Sequence, residues 1–157
     1  MCAKITLMLN REYGQDCSVA RSLELIGERW TLLVIRDVFL GNRRFDELQA
    51  SLGIARNVRS ARLGLLIDEG ILERRAYQER PERFEYFLTE KGLDLWPVLV
   101  TLIAWGDKHL TPGPLDILHK ECGGRVNDRR ICERCGAELE VRDARAALRR
   151  PREATTA

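Results

Sequence analysis

Four residues near the C-terminus have the types and the spacing of a metal site. His119 and Cys122 form one close pair, and Cys132 and Cys135 form a second, in the pattern H-x2-C-x9-C-x2-C. Tetrahedral Zn²⁺ takes thiolate and imidazole ligands from such pairs, and so small a segment has little core of its own without a metal. The spacing predicts a structural zinc in a zinc-ribbon-like module over residues 115–141. A metal-free hairpin, or a disulfide from Cys122 to Cys132 or Cys135, is the alternative.

Cys17 is a second chemically informative cysteine, because it stands where the first predicted helix begins. The helix dipole lowers the pKa of a thiol at that position, and Arg21 one turn later favours the thiolate, whereas Asp16 opposes it. Cys17 is therefore a candidate redox sensor. The alternative is a small buried residue that packs the first helix.

Arginines surround a predicted helix over about residues 55–69. At about 100° per residue, Leu63, Leu66 and Ile67 share the core face of this helix. A neighbouring polar face carries Arg56, Asn57, Ser60 and Gly64. Arg pairs with guanine and Asn with adenine through two hydrogen bonds, so this face is predicted to contact base edges in the major groove of DNA. Arg59 falls on the core face, so either its side chain extends outward along the edge of the core or the helix is rotated relative to this assignment.

Phosphate contacts are predicted for arginines on either side of that helix. Arg43 and Arg44 precede a short helix, and Arg80 and Arg83 lie in a charged loop, residues 78–83, between two short strands. Phosphate contacts release counterions, so binding should weaken with salt. The alternative is a solvated surface on which the wing arginines pair with Glu79 and Glu82.

Hydrophobic periodicity predicts the elements that position these residues. Asp16 can cap a helix over residues 17–26, a second helix opens at Trp30 and closes at Gly41, and a third ends at Gly53. The fourth helix is followed by strands over residues 71–77 and 84–88. Thr89 can cap a long apolar helix that Pro97 should kink or break.

The last helix is apolar on more faces than one small domain can cover, which predicts a homodimer. Its predicted interface residues are Trp96, Leu99, Leu102 and Ile103. The predicted fold is mainly α with a small β-hairpin wing (α+β): a winged helix-turn-helix domain with a C-terminal dimerisation helix and the zinc-ribbon-like appendage. The predicted divisions are an N-terminal extension (1–15), the winged helix-turn-helix domain (16–110), a linker (111–114), the Cys/His module (115–141) and a basic, disordered tail (142–157).

Over about Arg11–His109 the chain resembles the HxlR-type bacterial transcriptional regulators, relatives of the MarR group. The matching stretches are REYGQDCSVARSLELIGERWTLLVIRDVFLGNRRFDELQ, LGIARNVRSARLGLLIDEGILERR, ERPERFEYFLTEKGLDLWPVL and AWGD. They place these residues where the family has them: Cys17, Gly27, Trp30, Arg44, Phe45, Leu48, Arg62, Leu63, Gly70, Tyr86, Leu88, Thr89, Gly92 and Trp105.

The resemblance implies a homodimer that binds a pseudo-palindromic operator in double-stranded DNA and represses or activates transcription. Some members sense oxidants or electrophiles through the cysteine at the start of the first helix, which is Cys17 here, and a small-molecule effector is a further expectation. The chain departs from the family at Arg59, where an apolar residue is usual, and at Ala55, where a capping Ser is frequent.

Other function classes find little support in the composition. No apolar run is long enough to span a bilayer and the N-terminus makes a poor signal peptide, so a cytoplasmic, bacterial, nucleoid-associated location without membrane contact is expected. The chain has two histidines and neither a Ser-His-Asp set nor a phosphate-binding loop, which argues against an enzyme. The net charge of +2 does not itself indicate nucleic acid. A protein-interaction adaptor is the alternative function.

Overall fold

The computed structural model describes residues 13–145 and is mainly helical, with one two-stranded antiparallel sheet. The elements in chain order are α1 (Ser18–Ile26), α2 (Thr31–Phe39), α3 (Phe45–Leu52), α4 (Arg56–Asp68), β1 (Leu72–Glu79), β2 (Glu82–Leu88), α5 (Glu90–Leu93), α6 (Trp96–His109) and a 3-10 turn (Val141–Asp143). No helix within the described residues is long and apolar enough to cross a membrane. This element order agrees with the predicted winged helix-turn-helix.

A single apolar core holds α1–α4 and the hairpin together. Its members are Ile26, Val34, Ile35, Val38, Leu48, Leu63, Leu66, Ile71, Leu72 and Leu99. Leu63 and Leu66 of α4 are buried as the helical spacing predicts, so the polar face of that helix is turned away from the core. Burial of these side chains is the main term that stabilises the domain.

The hairpin, which we call the wing, is longer than the sequence indicated. Its strands pair in register from Leu72↔Leu88 to Glu79↔Glu82, with one irregularity between Ala76 and Gln78. The predicted loop over 78–83 is therefore mostly strand, and the turn consists of Arg80 and Pro81, joined by a cis peptide bond. The charged side chains that suggested a loop are compatible with strand pairing because they lie exposed at the end of the sheet.

The sequence predicted that Asp16 and Thr89 cap helices, and the structure confirms this only for Thr89. The N-cap of α1 is Cys17 rather than Asp16, whose carboxylate forms an ion pair with Arg21 instead of capping the helix. Thr89 does cap α5, since its Oγ1 accepts a hydrogen bond of 3.2 Å from the backbone N–H of Gly92. The predicted break at Pro97 is confirmed, because α5 ends at Leu93 and α6 starts with Pro97 in its first turn.

The described chain divides into two compact units, one up to Leu99 and one from Val100. The sequence placed the boundary at residues 111–114, but that segment belongs to the second unit. The backbone N–H of Gly113 donates to Asp107 Oδ1 at 3.1 Å, and Arg130 donates to the Thr101 hydroxyl at 2.6 Å. These polar contacts connect the second half of α6 to the segment that follows it. Most of the predicted N-terminal extension and of the disordered tail lies outside the described residues.

Arg59 occupies the core face of α4 without rotation of the helix, and its side chain does not extend out along the edge of the core. Its side chain is fully buried, with Cζ 3.4 Å from the centre of the Phe45 ring. None of its three guanidinium nitrogens has a hydrogen-bond partner among the described residues. Burial lowers the pKa of Arg59, yet an Arg side chain keeps its charge at neutral pH. The Phe45 ring thus compensates only part of the cost of desolvating a cation.

We predict that Arg59→Leu stabilises the fold. Replacing a buried charge by an apolar side chain of similar volume raises stability by about 1–4 kcal/mol in comparable cases. Urea unfolding of the reduced protein, followed by circular dichroism, measures the change in the free energy of unfolding.

Arg62→Leu is the matched control for this measurement. Arg62 is also a buried arginine of α4, and its Nε and Nη1 likewise have no hydrogen-bond partner among the described residues, but its Nη2 forms a 3.0 Å ion pair with Glu28. Its replacement removes a satisfied contact and should give no comparable gain. A loss of stability in Arg59→Leu would show that the guanidinium is better compensated than its contacts indicate.

Candidate nucleic-acid interface

The wing is attached to the start of α3 through backbone contacts. The Tyr86 N–H donates to the Arg43 carbonyl at 2.8 Å, and Arg44 forms an isolated antiparallel bridge with Glu85. The Glu47 carboxylate in turn accepts the backbone N–H groups of Arg43 and Arg44, each at 2.9 Å. The N-terminal turn of α3 and the wing therefore form one continuous basic surface.

All seven residues predicted to contact DNA are exposed: Arg43, Arg44, Arg56, Asn57, Ser60, Arg80 and Arg83. Three of them, Arg44, Arg56 and Arg83, line one open cavity of about 610 Å³ between α3, the start of α4 and the wing. The structure thus brings together arginines that are far apart in the sequence. The Ser60 hydroxyl donates to the Arg56 carbonyl at 2.9 Å, so part of its hydrogen-bonding capacity is used within α4.

Aromatic rings support the arginines of this surface. The guanidinium of Arg43 lies 4.6 Å from the centre of the Phe87 ring, and that of Arg44 lies 4.6 Å from the centre of the Tyr77 ring. Arg56 lies 5.8 Å from Phe45. Stacking on a ring face leaves the in-plane N–H donors of a guanidinium available for a phosphate or a base. We define the stacked surface as Arg43, Arg44 and Arg56 with these three rings.

The sequence analysis missed two further arginines, on strand β1. Arg74 lies 4.5 Å from the centre of the Phe84 ring, and Arg75 lies 4.4 Å from that of Phe87. In the observed register each ring is the diagonal cross-strand neighbour of its arginine, and such neighbours are within reach of long side chains. The available signal was the pair of arginines in β1 and the aromatic residues in β2, but matching each arginine to its ring required the register.

Acidic side chains pair with part of this surface, and Asp46, Glu47 and Glu82 line the same cavity as the arginines. Arg44 Nε donates to Glu85 Oε1 at 2.9 Å, and this hydrogen bond raises the pKa of Arg44. Among the described residues, no ion pair joins Arg80 or Arg83 to the wing glutamates that the alternative interpretation invoked. Both wing arginines are exposed and are thus available to a polyanion.

Cys17 is an exposed free thiol at the N-cap of α1. Hydrogen bonds from the backbone N–H groups of Ala20 and Val19 lower its pKa, and the nearby charge of Arg21 acts in the same direction. The alternative of a buried packing residue is therefore wrong. A thiol with a lowered pKa and open access is the kind that reacts with electrophiles and oxidants.

The four predicted metal ligands lie in two pairs. His119 Nδ1 is 3.1 Å from Cys122 Sγ. Backbone N–H groups of Cys135 and Arg134 lower the pKa of Cys132, and the Cys135 side chain contributes in the same direction. The cysteines of both pairs are free thiols, so the alternative disulfide is not formed. Within residues 13–145, no three His, Cys, Asp or Glu side chains gather in a group that could hold a metal.

The predicted dimer residues differ in exposure. Trp96 and Ile103 are half-buried and Leu102 is 48% exposed, but Leu99 is part of the core. Leu99 therefore faces the core of its own domain, and its assignment to the dimer interface is corrected. Trp105, which is 56% exposed and three residues beyond Leu102, fits the exposed apolar stripe of α6 better.

Comparison with known proteins agrees with this arrangement. Rv3095 of Mycobacterium tuberculosis, described as an uncharacterised HTH-type transcriptional regulator, is 46% identical over 129 residues, which cover 80% of this chain and 82% of that protein. The crystal structure of PA1607, assigned as a transcription factor, has a TM-score of 0.75 and 34% identity over 85% of this chain and 96% of that one. The redox regulator HypR in its oxidised form has a TM-score of 0.55 and 30% identity over 59% of this chain and 97% of that one.

The model of the HxlR-like helix-turn-helix family matches residues 25–114, which include α2–α6 and the wing. These residues carry the stacked surface, the polar face of α4 and the wing arginines. The family match and the identity to Rv3095 extend over most of the chain, and the fold has the expected order of elements. The chain belongs to the HxlR-like helix-turn-helix family of transcriptional regulators.

Proposed function

We propose that the protein is a homodimeric, sequence-specific regulator of transcription that binds a pseudo-palindromic operator in double-stranded DNA. The observation that carries the proposal is the exposed polar face of α4, flanked on one surface by the arginines of α3 and the wing. Winged helix-turn-helix proteins place such a helix in the major groove and the wing along the backbone or in the minor groove.

Different side chains supply specificity and affinity in this proposal. Arg56 and Asn57 lie on the first turn of α4 and contact base edges, with Ser60 one turn later. Arg43 and Arg44, supported by their rings, and Arg80 and Arg83 of the wing contact phosphates. Phosphate contacts position the protein on the duplex, whereas base contacts select the sequence.

Two variants separate these roles. Asn57→Ala should reduce the preference for the operator over a scrambled duplex by about 1–3 kcal/mol, while binding to the scrambled duplex changes little. Arg83→Gln should weaken binding to both duplexes similarly and lower the slope of log affinity against log salt by about 1. Fluorescence anisotropy at several salt concentrations measures both effects, on an operator that the protein itself selects from a random pool of duplexes.

Arg129→Gln is the control for the loss of one positive charge. Arg129 lies in the second unit, where it forms an ion pair with Glu138. This variant should leave operator preference and salt slope unchanged. Failure of the wild-type protein to enrich any sequence from the pool would contradict a sequence-specific regulator and would favour the adaptor.

The proposed dimer is formed through the exposed apolar stripe of α6. Val98, Leu102 and Trp105 follow one another at spacings of four and three residues, so they lie on one side of the helix, and all three are exposed. Exposed aromatic and aliphatic side chains in such a stripe are typical of a helix that packs against a partner. A two-fold dimer would present two α4 helices to two half-sites.

Leu102→Asp should convert the dimer into monomers, because a carboxylate in the centre of an apolar interface is desolvated without a partner. Sedimentation velocity gives the mass of the species. Gln49→Asp introduces the same carboxylate at an exposed position of α3, away from the stripe, and should leave the dimer intact. An intact dimer in Leu102→Asp would place the interface elsewhere.

The proposed control of DNA binding acts through the Cys17 thiolate. Its exposure and lowered pKa make it reactive, and a structurally similar protein, HypR, is a redox regulator. Addition of an electrophile would place a bulky group at the start of α1. The operator affinity would then change because the modified helix biases the arrangement of the dimer.

N-ethylmaleimide should therefore change the operator affinity of the wild-type protein several-fold and leave Cys17→Ser unaffected. Because the pKa of Cys17 is lowered, its alkylation should persist to lower pH than that of an ordinary thiol. Cys2→Ser serves as a control that keeps the response. Anisotropy before and after treatment, with mass spectrometry to locate the adduct, tests the assignment, and an equal response in Cys17→Ser would contradict it.

A further inference from the structure

Two consecutive loops of the second unit have the same backbone geometry, a repeat that the sequence analysis did not identify. Three backbone hydrogen bonds close loop A, residues 117–126: His119 N to Gly124 O, Gly123 N to His119 O and Val126 N to Ile117 O. Each has a counterpart 13 residues later in loop B, residues 130–139: Cys132 N to Ala137 O, Gly136 N to Cys132 O and Leu139 N to Arg130 O. The isolated bridges Leu118↔Arg125 and Ile131↔Glu138 repeat with the same offset.

The chemically reactive residues occupy equivalent positions of the two loops. His119 and Cys132 come directly after the first bridge residue, and Cys122 and Cys135 come three residues later. A glycine follows each second cysteine with φ of +69° or +72°, a conformation that strongly favours glycine. This turn allows backbone N–H groups to approach a thiolate, and the Gly124 N–H lies 3.4 Å from Cys122 Sγ. Each loop is therefore built to present two donor atoms.

The segment that carries the loops has no apolar core. Among residues 110–145, every residue is exposed or half-buried, and the only helix is the three-residue 3-10 turn. Its cysteines form no disulfide within the described chain, and its ion pairs, Arg125–Asp116 and Arg129–Glu138, are exposed and contribute little. Segments below about 40 residues usually need a disulfide, a metal or a partner to hold a defined fold. A metal is the cross-link for which this segment has ligands.

The donor atoms of the first pair are close enough to share one metal ion. Ligands about 2.0 Å (N) and 2.3 Å (S) from a tetrahedral zinc are separated by about 3.5 Å. His119 Nδ1 and Cys122 Sγ are already 3.1 Å apart.

We propose that loops A and B together bind one Zn²⁺ through His119, Cys122, Cys132 and Cys135. The two pairs do not form one ligand group in the described structure, so metal binding draws the loops together. Each cysteine loses its proton on binding, and His119 binds as the neutral imidazole. Three thiolates and one imidazole close the tetrahedron, so the zinc has a structural role. This proposal does not depend on the proposed DNA binding.

Elemental analysis of the full chain, purified without chelators under reducing conditions, is the decisive experiment. We expect about one zinc per chain. Cys135→Ser should lose most of it, whereas Cys17→Ser, which removes an exposed thiol of the first unit, should keep it. His119→Ala should lower zinc affinity, and His119→Cys should restore it, because a set of four thiolate ligands is also a good zinc site.

Cobalt binding is measured on the wild-type chain. Misfolding of a variant therefore cannot affect this second test. Tetrahedral Co²⁺ with thiolate ligands should give strong visible bands and a sulfur-to-cobalt charge-transfer band. Equimolar Zn²⁺ should abolish both, because the site prefers zinc. Absence of zinc after purification together with absence of these bands on titration would overturn the proposal. Equal zinc contents in Cys17→Ser and Cys135→Ser would also overturn it, as would a disulfide within the segment of the freshly purified protein, found by intact mass.

Discussion

The hydrogen bond from the Tyr86 N–H to the Arg43 carbonyl is the contact on which the shape of the basic surface depends. It attaches the wing to the start of α3, and the adjacent Arg44–Glu85 bridge extends the attachment by one residue. Without it, the wing would connect to the domain only at the base of its two strands. The core packing of α4 sets where the polar face of that helix points, and this attachment sets where the wing arginines lie beside it. Together, the core packing of α4 and the attachment of the wing bring the start of α3, α4 and the two strands of the wing into one surface.

The sequence predicted those features that follow from local periodicity. The core face of α4, the cap at Thr89 and the break at Pro97 each depend on residues within one or two helical turns. The predictions failed where a side chain had more than one possible partner. Asp16 is a good capping residue by type, but its carboxylate pairs with Arg21 and Cys17 occupies the N-cap position. Leu99 has the spacing of an interface residue, but the core of its own domain covers it.

In the candidate site, the exposure of the arginines could be predicted from the sequence, whereas their contacts with distant residues could not. The exposed arginines could be predicted from their positions before α3, in α4 and in the wing, and the whole predicted set is exposed. Their ring partners could not, because Tyr77 and Phe87 meet Arg44 and Arg43 only after the hairpin has folded against α3. The 13-residue repeat was equally hidden, since loops A and B share a hydrogen-bond pattern but few residue types. Backbone geometry made it visible.

The aromatic supports of the stacked surface have a consequence for the thermodynamics of association. A free arginine side chain loses about 2 kcal/mol of rotamer entropy when a ligand immobilises it. Arg43, Arg44 and Arg56 rest on rings before any partner arrives, so much of that loss occurs during folding rather than during binding. Arg80 and Arg83 have no such support among the described residues. The surface therefore has preorganised cations beside α4 and conformationally adaptable ones at the tip of the wing.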